Sequence, residues 1–101
     1  MIEDYHTISW IFLSIAIGSQ IEPIKFNEIS MIADGINHSI PSEKEIRNSI
    51  IYLLKNEYII KIEKKYSLTN KGLFLYNNSN SENKTLLKIW KEIQNKLINI
   101  K

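Results

Sequence analysis

Between residues 41 and 72, the apolar side chains change from helical spacing to strand spacing almost without a loop. Ser42 and Glu45 form the S-x-x-E capping box of a helix start, with Pro41 just outside it. The helix that follows buries one stripe, made of Ile46, Ile50, Leu53 and Leu54. A strand period then appears on both sides of a short charged turn near residues 63–65, in Ile60, Ile62, Tyr66 and Leu68. The chain is thereby constrained to a helix followed directly by a small antiparallel hairpin.

A first helix is expected over about residues 4–17. Its apolar side chains recur at helical spacing, as Ile8, Ile11, Phe12, Ile15 and Ala16. Gly18 followed by Ser19 predicts where this helix ends. Because the chain has 101 residues, it is long enough for one hydrophobic core but not for two. The helix is therefore expected to contribute to the same core as the helix and hairpin after residue 41.

A second helix is expected after a short connection. Pro23 excludes a helix in this connection, and Ile24 is suited to a short edge strand. Asn27 is the expected N-cap, with Phe26 before it and Met31 four residues after it as a hydrophobic staple. The helix is expected to end near residues 37–38 and to bury Ile29, Ile32, Ala33 and Ile36.

The last helix is expected over about residues 84–101, after a domain at 1–76 and a polar linker at 77–83. Its apolar residues are separated by 4, 3, 4 and 3 positions, which is heptad spacing, and they are Leu86, Trp90, Ile93, Leu97 and Ile100. Two arrangements fit this seam. The helix pairs with a second copy of the chain to make a homodimer, which is the favoured prediction, or it folds back and covers Trp10.

Composition argues against several classes of function. There is no cysteine, which excludes disulfides and thiolate metal sites, and no apolar run approaches the length of a membrane span. The two histidines, His6 and His38, are far apart, and no glycine-rich phosphate loop is present. The first residues lack the basic region of a secretory signal. We therefore expect a soluble cytoplasmic protein that is not an enzyme, with no catalytic residues, no metal site and no cofactor.

Charge is distributed unevenly along the chain. The formal net charge is only +2, which by itself does not indicate a nucleic-acid-binding protein. Residues 1–41 carry one lysine against five acids, whereas residues 42–101 carry twelve basic residues against six acids. This asymmetry is compatible with a positive surface on the hairpin side of the molecule. Frequent isoleucine, asparagine and lysine also fit a bias in the coding sequence, so the asymmetry has two readings.

Two segments carry a resemblance to known proteins, IRNSIIYLLKNEYI at residues 46–59 and YSLTNKG at residues 66–72. They resemble the winged-helix transcriptional regulators of bacteria, notably the PadR-like and MarR-like families. The resemblance covers roughly residues 5–76. It implies a mainly α fold with a small β-hairpin, a winged helix-turn-helix followed by a C-terminal helix. One departure is Glu57, which stands where a glycine commonly ends the third helix. We therefore expect Asn56 to adopt the left-handed conformation instead.

The resemblance also implies a function, namely transcription regulation by DNA binding. The third helix of such proteins enters the major groove of duplex DNA, and the wing contacts the backbone or the minor groove. The positions carried over are Lys44, Arg47, Asn48, Tyr52 and Lys55 on the helix, and Lys61, Lys64 and Lys65 on the wing.

Individual residues argue both for and against DNA binding. Arg47 and Asn48 are side chains able to reach guanine and adenine edges, and they lie in the first two turns of the third helix. Glu43 and Glu45 stand at the same N-terminal end of the helix, where the helix dipole stabilises negative charge. The alternative function is therefore a winged-helix protein-interaction module that does not bind DNA.

An effector ligand is unknown from the sequence. The place where a pocket would be expected is between the first and last helices. The aromatic residues there are Trp10, Phe12 and Trp90. Apolar residues at helical spacing are more often part of a simple core than of a ligand site.

Overall fold

The computed structural model describes residues 4–80 and 85–99 of the chain. Over these residues the fold is mainly helical with a small three-stranded antiparallel sheet, which confirms the expected class at that level. The elements follow in the order α1 (Tyr5–Gly18), β1 (Ile24–Lys25), α2 (Phe26–Asn37), α3 (Glu43–Lys55), β2 (Ile59–Ile62), β3 (Lys65–Leu68), α4 (Asn70–Ser79) and α5 (Leu86–Asn99).

Helix α1 lies at the centre of the molecule and packs against α2, α3 and α5. Every residue from Thr7 to Ala16 is buried, because neighbours cover the helix on several sides. Asp4 caps its start by accepting hydrogen bonds from the Thr7 backbone N–H at 3.1 Å and the Thr7 hydroxyl at 2.7 Å. The buried Ser14 hydroxyl donates to the carbonyl of Trp10 at 2.9 Å, so the polar group is satisfied inside the core.

Helix α2 begins two residues earlier than expected, at Phe26, and its N-cap is Lys25 rather than Asn27. The Glu28 carboxylate accepts a hydrogen bond from the Lys25 backbone N–H at 2.9 Å, which holds this first turn. The expected staple between Phe26 and Met31 is wrong, because Met31 is 71% exposed and Phe26 faces α3 instead. The helix ends at Asn37, as expected.

Helix α3 begins with the predicted capping box. The Ser42 backbone N–H donates to Glu45 Oε1 at 2.8 Å, and the Glu45 N–H donates to Ser42 Oγ at 3.0 Å. At the other end it is Glu57, with φ 64°, that is left-handed, so the expectation for Asn56 is wrong. The reason is a Schellman arrangement, in which the N–H groups of Glu57 and Tyr58 donate to the carbonyls of Leu54 and Leu53.

The hairpin joins β2 and β3 through a two-residue turn at Glu63 and Lys64, both with positive φ, at 48° and 70°. Strand β1 pairs with the other edge of β3, so the sheet order is β1-β3-β2. This confirms the short edge strand expected at Ile24. The register places Lys25 opposite Lys65, although forty positions separate the two in sequence.

Helix α4 extends three residues into the segment expected to be a linker. Its end is stabilised because the buried Ser79 hydroxyl donates to the Leu75 carbonyl at 2.8 Å. Thr69 caps its start by accepting from the Gly72 N–H at 3.0 Å. The rest of the expected linker, residues 81–83, lies outside the described residues. No helix in the described ranges is long and apolar enough to cross a membrane.

Helix α5 folds back on α1, which is the second of the two arrangements considered. The Trp90 ring stacks on Trp10 with centroids 5.8 Å apart, and its indole N–H donates to Ser9 Oγ at 2.9 Å and to the His6 carbonyl at 3.0 Å. Ile93 and Leu97 are fully buried behind it.

This packing corrects the assignment of Trp90, Ile93 and Leu97 to a dimer seam, because α1 already covers them. Leu86 is 44% exposed, and Ile100 lies outside the described residues. A homodimer stays a prediction, and it requires a surface other than these three buried side chains.

Candidate nucleic-acid interface

One face of α3 is exposed to solvent, opposite the stripe that packs into the core. Residues three, four and seven positions apart share one side of a helix, so five outward residues form one strip. They are Lys44, Asn48, Ile51, Tyr52 and Lys55. Ile51 is 63% exposed in this strip although it is apolar, and Tyr52 is half-buried. Four of the eight residues predicted to contact DNA are thus brought together here.

A groove of about 580 Å³ runs between this strip and the first turns of α1. The Tyr5 ring meets the Tyr52 ring edge-on, with centroids 5.9 Å apart. Asp4 stands at the rim of the groove, and the hydrogen bonds from the Thr7 hydroxyl and backbone hold the pKa of its carboxyl below the usual value. The groove therefore combines the lysines of α3 with an ionised carboxylate.

Arg47 leaves the strip and turns towards the start of α2. Its Nη2 and Nε donate to the same Glu43 oxygen, at 2.6 and 2.9 Å, and its guanidinium lies 5.3 Å from the centroid of the Phe26 ring. The ion pair is exposed on both sides, so its net contribution is small, about 0.2–0.5 kcal/mol for such a spacing on a helix. The arrangement nevertheless directs Arg47 to the hairpin side of α3.

The hairpin turn and the start of α2 enclose a second concave surface, of about 480 Å³. Lys64 and Lys65, both predicted from the sequence, line it together with Lys25, Phe26, Asn27 and Glu63. Lys61 is more separate, with its Nζ 5.8 Å from the centroid of the Tyr66 ring. Phe26 belongs both to this surface and to the contact with Arg47, so it connects the hairpin lysines to α3.

Two residues and one contact of this region were not singled out from the sequence. Lys25 was counted with the acidic half, because no local signal places it beside Lys65. Glu43 and Arg47 are four positions apart, a spacing that does predict their ion pair. Ile51 was visible as an apolar residue outside the buried stripe, and this was the signal that an exposed apolar contact point existed.

The place considered for an effector pocket, between the first and last helices, is filled by side chains. Trp10 and Trp90 stack on each other, and Phe12 is fully buried. A cleft of about 560 Å³ lies elsewhere, between α4 and α5, above Tyr58. Lys71 Nζ sits 4.5 Å from the centroid of the Tyr58 ring and donates to the Asn56 carbonyl at 2.9 Å. Burial raises the pKa of the Tyr58 hydroxyl.

Both histidines have local surroundings that differ from a metal site. His6 stacks on Trp90 at 4.6 Å, and its Nδ1 lies 3.3 Å from Gln94 Oε1, while His38 holds the left-handed end of α2. Among residues 4–80 and 85–99, no three histidine, aspartate or glutamate side chains group in a way that could hold a metal ion.

Comparison with known proteins adds no further assignment. No family model, no curated protein and no solved structure matches this chain. What the chain does has therefore to be inferred from its own geometry and chemistry.

Proposed function

We propose that this chain is a winged-helix protein that binds duplex DNA and acts as a transcription regulator. The observation that carries the proposal is the continuity of one exposed surface. The strip of α3 reaches the hairpin turn through Arg47 and Phe26, so cations and hydrogen-bonding side chains from α2, α3 and the hairpin face one partner.

The order of elements supports this proposal. Three helices followed by a hairpin, with β1 added to the outer edge of β3, is the arrangement expected for a winged helix. Helix α3 has 13 residues, hence a length of about 20 Å. A helix is about 10–12 Å across with its side chains, which matches the roughly 12 Å width of the major groove. The exposed strip of α3 is therefore compatible with insertion into that groove.

Roles follow from side-chain chemistry. Asn48 has an amide able to hydrogen-bond to a base edge. Lys44 and Lys55 at the two ends of α3 are assigned to phosphates. The same role is assigned to Lys25, Lys64 and Lys65 of the hairpin surface and to the more separate Lys61. Arg47 points towards Phe26, so it is assigned to the DNA backbone between the lysines of α3 and those of the hairpin.

The acidic side chains favour a second candidate. Asp4, Glu43, Glu45 and Glu63 lie among the cations, and Ile51 is exposed at the centre of the strip. A mixed surface with an apolar residue also suits a protein partner. The alternative is therefore a protein-interaction module that uses the same strip of α3 without contacting DNA.

An anisotropy titration with a labelled mixed-sequence duplex, repeated at several salt concentrations, separates the two candidates. Each phosphate contact should add about −0.9 to the slope of log affinity against log salt. Lys64→Ala should make that slope shallower by about one contact. The matched control is Lys91→Ala, which removes an exposed lysine from α5. Absence of binding at about 50 mM salt, or equal slopes for the two variants, would contradict the proposal.

A further inference from the structure

We infer that the exposed strip of α3 reads A·T base pairs, with Ile51 against the thymine methyl group and Asn48 on adenine. The inference rests on the proposed DNA-binding function and specifies which sequences that surface prefers.

Ile51 has no packing role that accounts for it. The side chain is 63% exposed and lies outside the buried stripe. It is three positions after Asn48 and four before Lys55, so all three share one side of the helix. An isoleucine in the middle of a polar strip places its methyl groups where a base edge would come closest.

The chemistry of the major groove selects a target for this side chain. Thymine alone among the four bases presents a C5 methyl group there, and apolar side chains contact it. Asparagine pairs in a bidentate manner with N6 and N7 of adenine. The Asn48 side chain makes no hydrogen bond with the described residues and is exposed, so it is available for that contact.

The spacing of the two side chains fits neighbouring base pairs. Residues three positions apart on a helix have Cβ atoms about 5–6 Å apart. Successive bases along one strand are about 3.4 Å apart, so the pair spans one to two base steps. Asn48 and Ile51 are thus suited to adenine and thymine at adjacent or next-adjacent positions.

Guanine is a disfavoured target because arginine, the side chain that usually reads it, is already engaged by other residues of this protein. Arg47 is the only arginine in the chain, and both N–H groups that it uses donate to Glu43 while its guanidinium lies over Phe26. To reach O6 and N7 of guanine, Arg47 would have to leave both partners and expose the Glu43 carboxylate beside the DNA. The lysines of the strip lie at its two ends, where phosphates are the nearer partners.

The test compares three duplexes of equal length at one salt concentration. The first is A·T-rich, the second replaces each thymidine of the first with deoxyuridine, and the third is G·C-rich. Deoxyuridine keeps the hydrogen-bonding pattern and removes only the methyl group. For the unmodified protein we expect about fourfold weaker binding to the deoxyuridine duplex, the effect of one lost methyl contact. Binding to the G·C duplex should be weaker by about tenfold.

Two variants connect these differences to named side chains. Ile51→Ala should bind the thymidine and deoxyuridine duplexes equally, and it should remain folded because the side chain is exposed. Asn48→Ala should lose most of the preference for A·T over G·C. Circular dichroism checks that both variants retain the helical content of the parent.

Each outcome bears on one claim. Equal binding of the parent protein to thymidine and deoxyuridine duplexes, or a preference for G·C, would overturn the inference while DNA binding itself still held. Sensitivity to deoxyuridine that persists in Ile51→Ala would overturn the role of Ile51. Absence of binding to all three duplexes would overturn the proposed function together with the inference.

Discussion

Helices α3 and α5 both pack against the central helix α1, and they differ in how their side chains are partnered. Helix α5 is joined to the rest of the molecule by bonds between elements, since Trp90 donates to Ser9 and to His6 and Lys96 Nζ lies 3.3 Å from Ser79 Oγ. On the outward side of α3, by contrast, the charged hydrogen bonds join two residues of the same helix, Arg47 and Glu43.

The difference shows where an external partner has room to bind. Because α5 places its apolar seam and its polar contacts against the core, its role is to complete the fold. Helix α3 completes the core with one side only and leaves an exposed strip on the other. We expect mutations in α5 to act on stability and mutations on the outward side of α3 to act on binding. Substitutions at Trp90 and Glu43 test this division, and one at Gly72 of α4 tests the junction that holds the hairpin.

The largest effect is expected for Trp90→Ala. The substitution removes a buried aromatic ring and leaves the Ser9 hydroxyl without the indole N–H, so it should lower the free energy of unfolding by about 3–5 kcal/mol. Urea denaturation followed by circular dichroism measures the change. Leu87→Ala, at a position of α5 that is 62% exposed, is the control and should change stability by less than about 0.5 kcal/mol. Similar losses for the two variants would show that α5 does not pack as described.

The next effect concerns Gly72, where α4 meets the hairpin that carries the wing lysines. A Cβ at this position would fall on the backbone carbonyl oxygen of Tyr58, so Gly72→Ala should cost about 1–3 kcal/mol through displacement of the backbone. Gly35→Ala in α2 is the matched control, because nothing lies within 4 Å of the added Cβ. That change should be neutral or stabilise by up to about 1 kcal/mol. Thermal midpoints of the two variants measure the difference. Equal midpoints would show that Gly72 does not approach the Tyr58 carbonyl as closely as described.

The smallest effect is expected for Glu43→Gln, next to the exposed strip at the start of α3. The change should lower stability by no more than about 0.5 kcal/mol, since it removes one surface ion pair and leaves the capping box of Ser42 and Glu45 in place. It removes a negative charge and releases Arg47, so binding to the G·C duplex should strengthen relative to the A·T duplex. Anisotropy titrations with the two duplexes measure the ratio. An unchanged ratio would mean that Glu43 does not withhold Arg47 from the bases.

Sequence reasoning was successful where the signal is local. The capping box of Ser42 and Glu45, the buried stripe of α3 and the presence of a hairpin each depend on residues within a few positions of one another. The buried face of β2 was not predicted, because Ile60 and Ile62 are each 46% exposed and Ile59 is the buried residue. The physical cause of these three features is complete within the segment, because a helix start, a buried helix stripe or a tight hairpin needs only its own neighbours. The exposed face of α3 follows from the same stripe, and with it four of the eight predicted contact residues.

Sequence reasoning failed at contacts between distant residues, and also at two local features, the staple of Phe26 with Met31 and the left-handed conformation expected at Asn56. Whether Trp90 meets Trp10 or a second copy of the chain is decided by packing, and heptad spacing suits both. The approach of Lys25 to Lys65 depends on the pairing of β1 with β3, which no local pattern specifies. The left-handed Glu57 follows from the Schellman bonds that lead the chain into β2, and these override the conformational preference of Asn56.

Whether the outward side of α3 and the hairpin turn bind duplex DNA together can be measured by titrating the isotopically labelled protein with an A·T-rich duplex and following its backbone amide resonances. We expect the shifts to concentrate in the exposed strip of α3, the first turn of α2 and the turn at Glu63 and Lys64, and to weaken as salt is raised. Shifts confined to the cleft between α4 and α5, or no shifts at low salt, would contradict this expectation.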